Sequence, residues 1–205
     1  MPINISTSLG VFRWQPAAWL RVTGEDAANF LQGQFSNDLR GLPAMGAVYG
    51  LWLNLKGKVL ADSFVLRGEG EGEFWLGSYF STAAVIRERL ESHVIADDVV
   101  IEDLAADWSA ISVISDGAEL GPEVAHRPNG FVFRGRRGSG KGVELVFRRD
   151  AGLPLELKAV WDHARELTAA DMERLRVGAG IPAVGVDVGR GDLPNEAGLE
   201  VDAVS

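Results

Sequence analysis

The segment AVYGLWLNLKGKVLADSFVLR, residues 47–67, decides the fold because it predicts two β-strands joined by a tight turn. Aromatic and branched residues fill residues 48–53, and apolar residues alternate with small or polar ones over residues 59–66. Gly57 lies in the turn between them, where glycine tolerates a positive φ angle. We therefore expect a central β-hairpin around which the first half of the chain is organised.

Two polar residues in this hairpin are unusual for a strand interior. Asp62 is of a type that strands disfavour, and a buried carboxylate must be paired, hydrogen-bonded or protonated. Tyr49 carries a phenol that needs a partner if it is buried. The alternation alone also allows Asp62 to point to solvent from a half-exposed sheet. Both residues are candidates for a functional site.

Composition and charge exclude several function classes. The 205 residues carry a net charge of -9, which argues against non-specific binding to nucleic acid or to anionic membranes. No cysteine is present, so a disulfide, a thiolate metal site and a cysteine nucleophile are excluded within this sequence. The three histidines, His93, His126 and His163, lack metal-ligand spacing. With no signal-like start and no apolar run long enough for a membrane span, we expect a soluble cytoplasmic protein.

Strands and helices alternate around the hairpin in a recognisable order. Strands are predicted at 19–22, 74–76 and 99–101. Thr23 and Asp26 have capping-box spacing for a helix that ends near residue 32. Ser81 is expected to cap a second helix that runs to about residue 92, with three side chains inward: Ala84, Val85 and Leu90. The order strand, helix, strand, strand, helix, strand is typical of a ferredoxin-like unit.

The second half predicts a mixed unit. Strands are expected at 109–114, 131–134 and 143–147, and helices at 154–163 and 168–177. Thr168 and Asp171 again have capping-box spacing. We therefore predict an α+β fold in which a ferredoxin-like unit at 19–107 packs on a second α+β unit formed by 1–18 plus 108–205. A ligand would be expected between them, because ligands favour domain interfaces.

One motif resembles a phosphate-binding loop and is rejected. The sequence GRRGSGKG, residues 135–142, lacks the final hydroxyl residue because Gly142 stands there. A predicted strand follows it, whereas phosphate binding needs a helix N-terminus. A basic hairpin turn is the better interpretation. Its Arg136, Arg137 and Lys141 remain candidates for contact with an anionic partner.

A series of short motifs resembles the YgfZ family, folate-binding relatives of the glycine-cleavage T-protein. The motifs appear in the family's order along nearly the whole chain: residues 24–27 (GEDA), 30–34 (FLQGQ), 37–38 (ND), 56–58 (KGK), 180–182 (GIP), Gly185, Asp187 and 193–199 (LPNEAGL). The resemblance implies the N-terminal folate-binding fold of the GcvT and YgfZ proteins, with tetrahydrofolate as the cofactor.

The resemblance also implies roles for individual residues. Tyr49 is similar to a tyrosine that contacts the folate, and Asp62 to an aspartate near its reacting nitrogens, while Asn54 lies at the strand end of the same motif. Reduced folate offers a flat ring for stacking and N–H donors for a carboxylate. Lys56 and Lys58 would meet its anionic glutamate tail, or they are solvated turn residues.

The sequence departs from the family pattern at two places. A glutamate that grips the pterin in the T-proteins is replaced here by Gly178, which would cost about 1.5–3 kcal/mol of folate affinity. The sequence also stops before the family signature Lys-Gly-Cys-Tyr-x-Gly-Gln-Glu. We therefore expect the reactive cysteine and the third, C-terminal barrel domain to be absent, in a fragment or a shortened homologue.

Three functions follow from the resemblance. The first is a folate-binding YgfZ-like protein that assists iron–sulfur cluster assembly or repair and indirectly tRNA modification. Its partners would be a folate and iron–sulfur client proteins, with no direct contact to nucleic acid or membrane. The second is a tetrahydrofolate-dependent aminomethyltransferase, in which Asp62 orients the folate as a catalytic residue. Gly178 and the early stop count against that activity. The third is a non-catalytic remnant of the folate fold.

Overall fold

The computed structural model describes residues 9–115, 130–138, 142–152, 162 and 164–205. The chain divides into two compact units. The hairpin unit comprises residues 15–106 and 182–205, and the second unit comprises residues 1–14 and 107–181. The tail 182–205, which the sequence grouped with the second unit, therefore lies in the hairpin unit.

Hydrogen bonds explain why the tail belongs there. Ser36 donates its hydroxyl to the carbonyl of Ala203, and Asn37 donates its amide to the carbonyl of Asp202 at 3.2 Å. Leu199 and Ala203 are fully buried. The apolar residues of the tail thus complete the hairpin unit.

The hairpin unit contains the elements β2 (Ala18–Thr23), α1 (Ala27–Gln32), β3 (Ala47–Leu53), β4 (Val59–Arg67), β5 (Glu73–Ser78), α2 (Ala83–Glu91), β6 (Val100–Asp103) and, in the tail, α4 (Glu200–Ala203). Its sheet has the strand order β3–β4–β5–β2–β6, and all neighbouring strands are antiparallel. The strands β4, β5, β2 and β6 have the order of the predicted ferredoxin-like unit, and β3 adds a strand at the edge.

Both faces of this sheet are buried. One face packs against the two helices through residues such as Phe30 and Leu31 of α1 and Ile86 and Leu90 of α2. Because side chains alternate along a strand, the opposite face carries a second set of buried residues: Trp19, Tyr49, Leu51, Asp62, Phe64, Leu66 and Trp75. The half-exposed sheet that would have left Asp62 in solvent is therefore not what forms.

The starts of the two helices differ from the predictions. Asp26 is the N-cap of α1 but makes no side-chain capping bond; its carboxylate accepts a hydrogen bond from the backbone N–H of Asp98 at 2.8 Å. Thr82, rather than Ser81, is the N-cap of α2. The predicted capping box of Thr23 and Asp26 does not form, because Thr23 is the last residue of the strand Ala18–Thr23 and the Asp26 side chain is bonded to another segment. The predicted capping role of Ser81 is also wrong, because its hydroxyl is bonded to Asp62.

The inward face of α2 also differs from the prediction. Ala83, Ile86 and Leu90 are buried. Ala84 is exposed and Val85 is only half-buried. The helix begins at Ala83, so its apolar stripe runs through positions three and four residues apart from there. Of the three predicted inward residues, only Leu90 is fully buried.

The second unit is built on a sheet of the strands β1 (Leu9–Trp14), β7 (Trp108–Ser115), β8 (Gly130–Arg134), β9 (Gly142–Arg148) and β10 (Arg165–Glu166). The strand order in this sheet is β10–β1–β7–β9–β8. β10 is parallel to β1 and the other pairs are antiparallel. The predicted strands at 109–114, 131–134 and 143–147 are confirmed. The predicted helix at 154–163 lies outside the described residues except for Asp162, and His126 lies outside them too. The helix α3 (Ala169–Gly178) follows β10 in the chain.

The start of α3 forms as predicted. The Thr168 hydroxyl accepts a hydrogen bond from the backbone N–H of Asp171 at 3.2 Å, and the Asp171 carboxylate accepts one from the backbone N–H of Thr168 at 2.9 Å. This reciprocal capping box satisfies two backbone donors that a helix start otherwise leaves open.

Candidate functional site

The structure brings Tyr49 and Asp62 together in the hairpin unit. In the β3–β4 register Leu51 lies opposite Asp62, and Tyr49 lies opposite Phe64. The Tyr49 hydroxyl donates a hydrogen bond to Oδ2 of Asp62 at 2.9 Å. Tyr49 is 9% exposed and Asp62 is 4% exposed. The two residues that the sequence singled out thus form one buried polar pair.

Two serines hold the other oxygen of this carboxylate. Ser78 and Ser81 donate their hydroxyls to Oδ1 of Asp62 at 3.0 and 2.5 Å. The Ser81 hydroxyl also accepts from the backbone N–H of Asp62 at 3.0 Å, and the Ser78 hydroxyl accepts from the backbone N–H of Ser81 at 3.0 Å. The carboxylate is therefore oriented from three sides by hydroxyl donors.

Sequence reasoning missed these two serines. Their signal was the pair of hydroxyls in the segment Ser78-Tyr79-Phe80-Ser81, directly after β5. Because β4 and β5 are neighbours, the end of β5 returns beside Asp62. Only the strand pairing reveals this proximity, since 16 and 19 positions separate the serines from Asp62.

A row of aromatic rings adjoins the carboxylate. The ring of Phe64 lies 5.3 Å from that of Tyr49 and 5.5 Å from that of Tyr79, measured between centroids. Phe80 continues the row at 6.2 Å from Tyr79 and is 38% exposed. These distances are those of favourable aromatic pairs. The row connects the buried Tyr49–Asp62 pair with the protein surface.

Asn54 organises the turn between β3 and β4. Its side-chain oxygen accepts hydrogen bonds from the backbone N–H groups of Lys56 at 2.9 Å and Lys58 at 3.1 Å. Gly57 has a φ angle of 74° there, as the sequence predicted. The carboxamide oxygen that was considered for cofactor binding is therefore engaged in the turn.

The two turn lysines have different surroundings. Lys56 is exposed at the tip of the turn. Lys58 donates a hydrogen bond from Nζ to the carbonyl of Gly191 at 2.8 Å, and the next residue, Val59, donates its N–H to the carbonyl of Asp192 at 3.0 Å. Lys58 thus links the hairpin to the tail by a hydrogen bond, while Lys56 is accessible to an anion.

Arg137 in the basic turn of the second unit is buried rather than presented to a partner. Its guanidinium lies 4.6 Å from the centroid of the Trp14 ring and 5.4 Å from that of Phe12. It pairs with the buried carboxylate of Glu144 at 3.6 Å. The expectation that Arg137 meets an anionic partner is therefore wrong for this residue, and Lys141 lies outside the described residues.

Gly178 is the last residue of α3 in the second unit. It is exposed, and a Cβ atom built on it would meet nothing within 4 Å. No steric reason in the described structure therefore requires glycine at the place where the T-proteins carry glutamate.

Among the described residues, no three histidine, cysteine or acidic side chains are grouped so that they could hold a metal ion. None of the described helices is long and apolar enough to cross a membrane.

Known proteins match this chain at the level of family and fold. Residues 4–119 match the GCVT N-terminal domain family. The glycine cleavage system aminomethyltransferase T from Bartonella henselae superposes with a TM-score of 0.78 and 20% identity over 95% of this chain. The heterotetrameric sarcosine oxidase from Corynebacterium sp. U-96 gives a TM-score of only 0.38, with 18% identity over 81% of this chain and 85% of that chain. No curated protein sequence matches.

The family match covers more than half of the 205 residues, and the superposition supports the same fold. This chain corresponds to 57% of the length of the Bartonella henselae chain. The protein therefore belongs to the GCVT N-terminal domain family.

Proposed function

We propose that this protein binds a reduced folate, tetrahydrofolate, through the Tyr49–Asp62 pair. The observation that carries the proposal is the buried Asp62 carboxylate, which hydroxyl groups hold in one orientation in a member of the GCVT N-terminal domain family. A carboxylate is rarely kept inside a strand unless pairing or function retains it.

The chemistry of these residues fits a folate. The pterin ring of a folate presents several N–H donors and a flat face, and bound tetrahydrofolate would supply a nitrogen nucleophile for one-carbon units. Asp62 accepts hydrogen bonds, and the hydroxyls that now donate to it are rotatable groups that can also accept. Tyr49, Phe64 and Tyr79 provide aromatic faces. The exposed Lys56 is suited to an anionic glutamate tail.

We further propose a YgfZ-like role in which the folate-bound protein assists iron–sulfur cluster assembly or repair and, indirectly, tRNA modification. The support is the ordered series of YgfZ-like motifs, including the Lys56-Gly57-Lys58 turn. Deleting the gene is expected to lower the activity of iron–sulfur enzymes in its source cells and to reduce tRNA thiolation. Full activity of every iron–sulfur enzyme tested would contradict this role.

Folate binding is tested by titrating the 205-residue protein anaerobically with tetrahydrofolate and following tryptophan fluorescence. We expect saturable binding that Asp62→Asn weakens at least about tenfold, because hydrogen bonds to charged groups contribute about 1.5–3 kcal/mol. Tyr49→Phe keeps the ring and removes the hydroxyl, so its effect should be smaller. Glu102→Gln, which changes an exposed strand carboxylate of the same unit, is the matched control.

The titration separates three cases, and a turnover assay with an aminomethyl donor tests a fourth. Binding that is lost in Asp62→Asn and kept in Glu102→Gln, with equal melting temperatures, supports the proposal. Binding that is equal in all variants would place the folate elsewhere. No saturable binding would leave a folate fold without its ligand. Formation of a one-carbon tetrahydrofolate product from an aminomethyl donor would instead establish a transferase.

A further inference from the structure

A cavity of about 280 Å³ lies within the second unit, in the part of the chain that does not contain Asp62. Its apolar wall is formed by β1, the end of β7, the residue after β10 and α3. The apolar lining residues are Leu9, Gly10, Ile114, Leu167 and Leu175. This volume lies just below the range of about 300–1,000 Å³ for small-molecule sites, and the mostly apolar lining is that of such sites.

Charged groups line the rim of the same cavity. Arg165 and Arg174 both donate to Oδ1 of Asp171, at 3.4 and 2.8 Å. Their side chains are 73% and 74% exposed. Hydrogen bonds from the backbone N–H and the hydroxyl of Thr168, with the nearby positive charges of the two arginines, hold the pKa of Asp171 below its usual range. Two positive charges and one negative charge therefore leave a net positive charge at the rim.

The two arginines have donors to offer to a second anion. Each guanidinium carries five N–H groups, and each contacts Asp171 through one nitrogen. A planar guanidinium suits a carboxylate because two parallel hydrogen bonds can form. The capping box fixes Asp171, which keeps both arginines at the cavity mouth.

We propose that this cavity binds a small amphipathic monocarboxylate, with its apolar body against Leu9, Leu167 and Leu175 and its carboxylate between the two arginines. A single negative charge balances the rim, whereas a phosphate dianion would exceed it. Apolar contact and ion pairing together distinguish this site from an ordinary surface ion pair. The proposal is independent of folate binding, since it involves other residues in the other unit.

The test uses the full 205-residue protein with hexanoate as the probe, followed by ¹H–¹⁵N NMR titration. We expect saturable shifts confined to residues around Leu9, Leu167 and Leu175. Hexanamide, which keeps the chain and removes the charge, and inorganic phosphate, which removes the apolar body, should each bind at least about tenfold more weakly. Arg174→Gln should weaken hexanoate binding to a similar extent.

Arg87→Gln is the matched control, because Arg87 is also an exposed helical arginine paired with an acidic residue one turn away. It should leave hexanoate binding unchanged. Equal binding of hexanoate and hexanamide, or tighter binding of phosphate, would overturn the proposed ligand class. Absence of saturable shifts, or equal binding by Arg174→Gln and Arg87→Gln, would overturn the site.

Discussion

Asp62 in the hairpin unit and Glu144 in the second unit are both carboxylates buried in strands, but their surroundings differ. Asp62 accepts hydrogen bonds from three hydroxyl groups. Glu144 is fully buried, accepts from the Trp14 indole N–H at 3.1 Å and the Ser112 hydroxyl at 2.7 Å, and pairs with Arg137 at 3.6 Å. Asp62 is held by hydroxyl groups, whereas Glu144 is held by an indole, a hydroxyl and a guanidinium that lies over two aromatic rings.

This difference separates a candidate site from a structural centre. A buried charge is expensive to keep in either place. Hydroxyl groups can turn to other partners, so the hydrogen bonds of Asp62 can be exchanged when a ligand arrives. Arg137, stacked on Trp14 and Phe12, has no such freedom. The difference supports the proposed binding role of Asp62 and indicates a stabilising role for Glu144.

The largest effect is expected when the Glu144 ion pair is broken. Arg137→Leu removes the cation and leaves the fully buried carboxylate without it, so the free energy of unfolding should fall by about 3–5 kcal/mol. Urea unfolding followed by circular dichroism measures this change. Arg148→Leu, which removes an exposed arginine paired with Asp150, should change stability much less.

The double variant with Arg137→Leu and Glu144→Gln checks the cause. If an uncompensated charge is responsible, the second change should recover a large part of the loss. A double variant no more stable than the single one would show that Arg137 acts through its stacking on Trp14 instead.

A smaller loss is expected at the Asp62 network. Ser81→Ala removes a hydroxyl that donates to the carboxylate and accepts from the backbone, so it should lower stability by about 1–3 kcal/mol. Thr82→Ala is the neighbouring control. Thr82 caps α2 without a side-chain hydrogen bond, so its loss should be below about 0.5 kcal/mol. The reverse ranking in thermal melts would show that the Thr82 side chain caps α2 after all and would weaken the comparison.

Local patterns predicted much of this fold, but not the partners of its buried charges. The 47–67 hairpin, its Gly57 turn and the Thr168–Asp171 capping box depend on residues close in sequence, and all three form. Ser81 was predicted to cap a helix, but its hydroxyl donates to the Asp62 carboxylate because β4 pairs with β5. The same holds for Arg137, whose partner Glu144 is reached through the β8–β9 hairpin. The secondary-structure propensity of single residues does not predict which strands pair.

The pH dependence of the Asp171 capping box tests a third carboxylate, one close to solvent. Hydrogen bonds from Thr168, together with the positive charges of nearby arginines, lower the pKa of Asp171 from its ordinary value of 3.8. A group with a depressed folded-state pKa stabilises the protein above its unfolded-state pKa and loses that contribution as the pH falls through the folded-state value. Asp171→Asn should therefore lower the melting temperature at pH 7, by less than Ser81→Ala does.

Below pH 3.8 the wild-type protein and Asp171→Asn should converge in melting temperature. Asp150, whose pKa the hydrogen bond to Arg148 also lowers, gives the comparison outside a capping box: wild type and Asp150→Asn should converge over the same pH range. A gap between wild type and Asp171→Asn that persists unchanged in strong acid would show that the side-chain amide, rather than the lost charge, causes the effect.

The smallest effect is expected at Gly178, where an added side chain would start in open space. Gly178→Ala should raise stability by about 0.5–1 kcal/mol, because glycine is a poor helix residue and the site is open. Gly178→Glu should gain a few tenths of a kcal/mol less than Ala, since a negative charge at a helix C-terminus is unfavourable. Gly180→Ala, at a φ angle of 67°, should instead destabilise the protein. Because an exposed carboxylate at Gly178 should change stability so little, a loss in Gly178→Glu as large as that in Ser81→Ala would mean that burial does not decide how much a carboxylate matters in this protein.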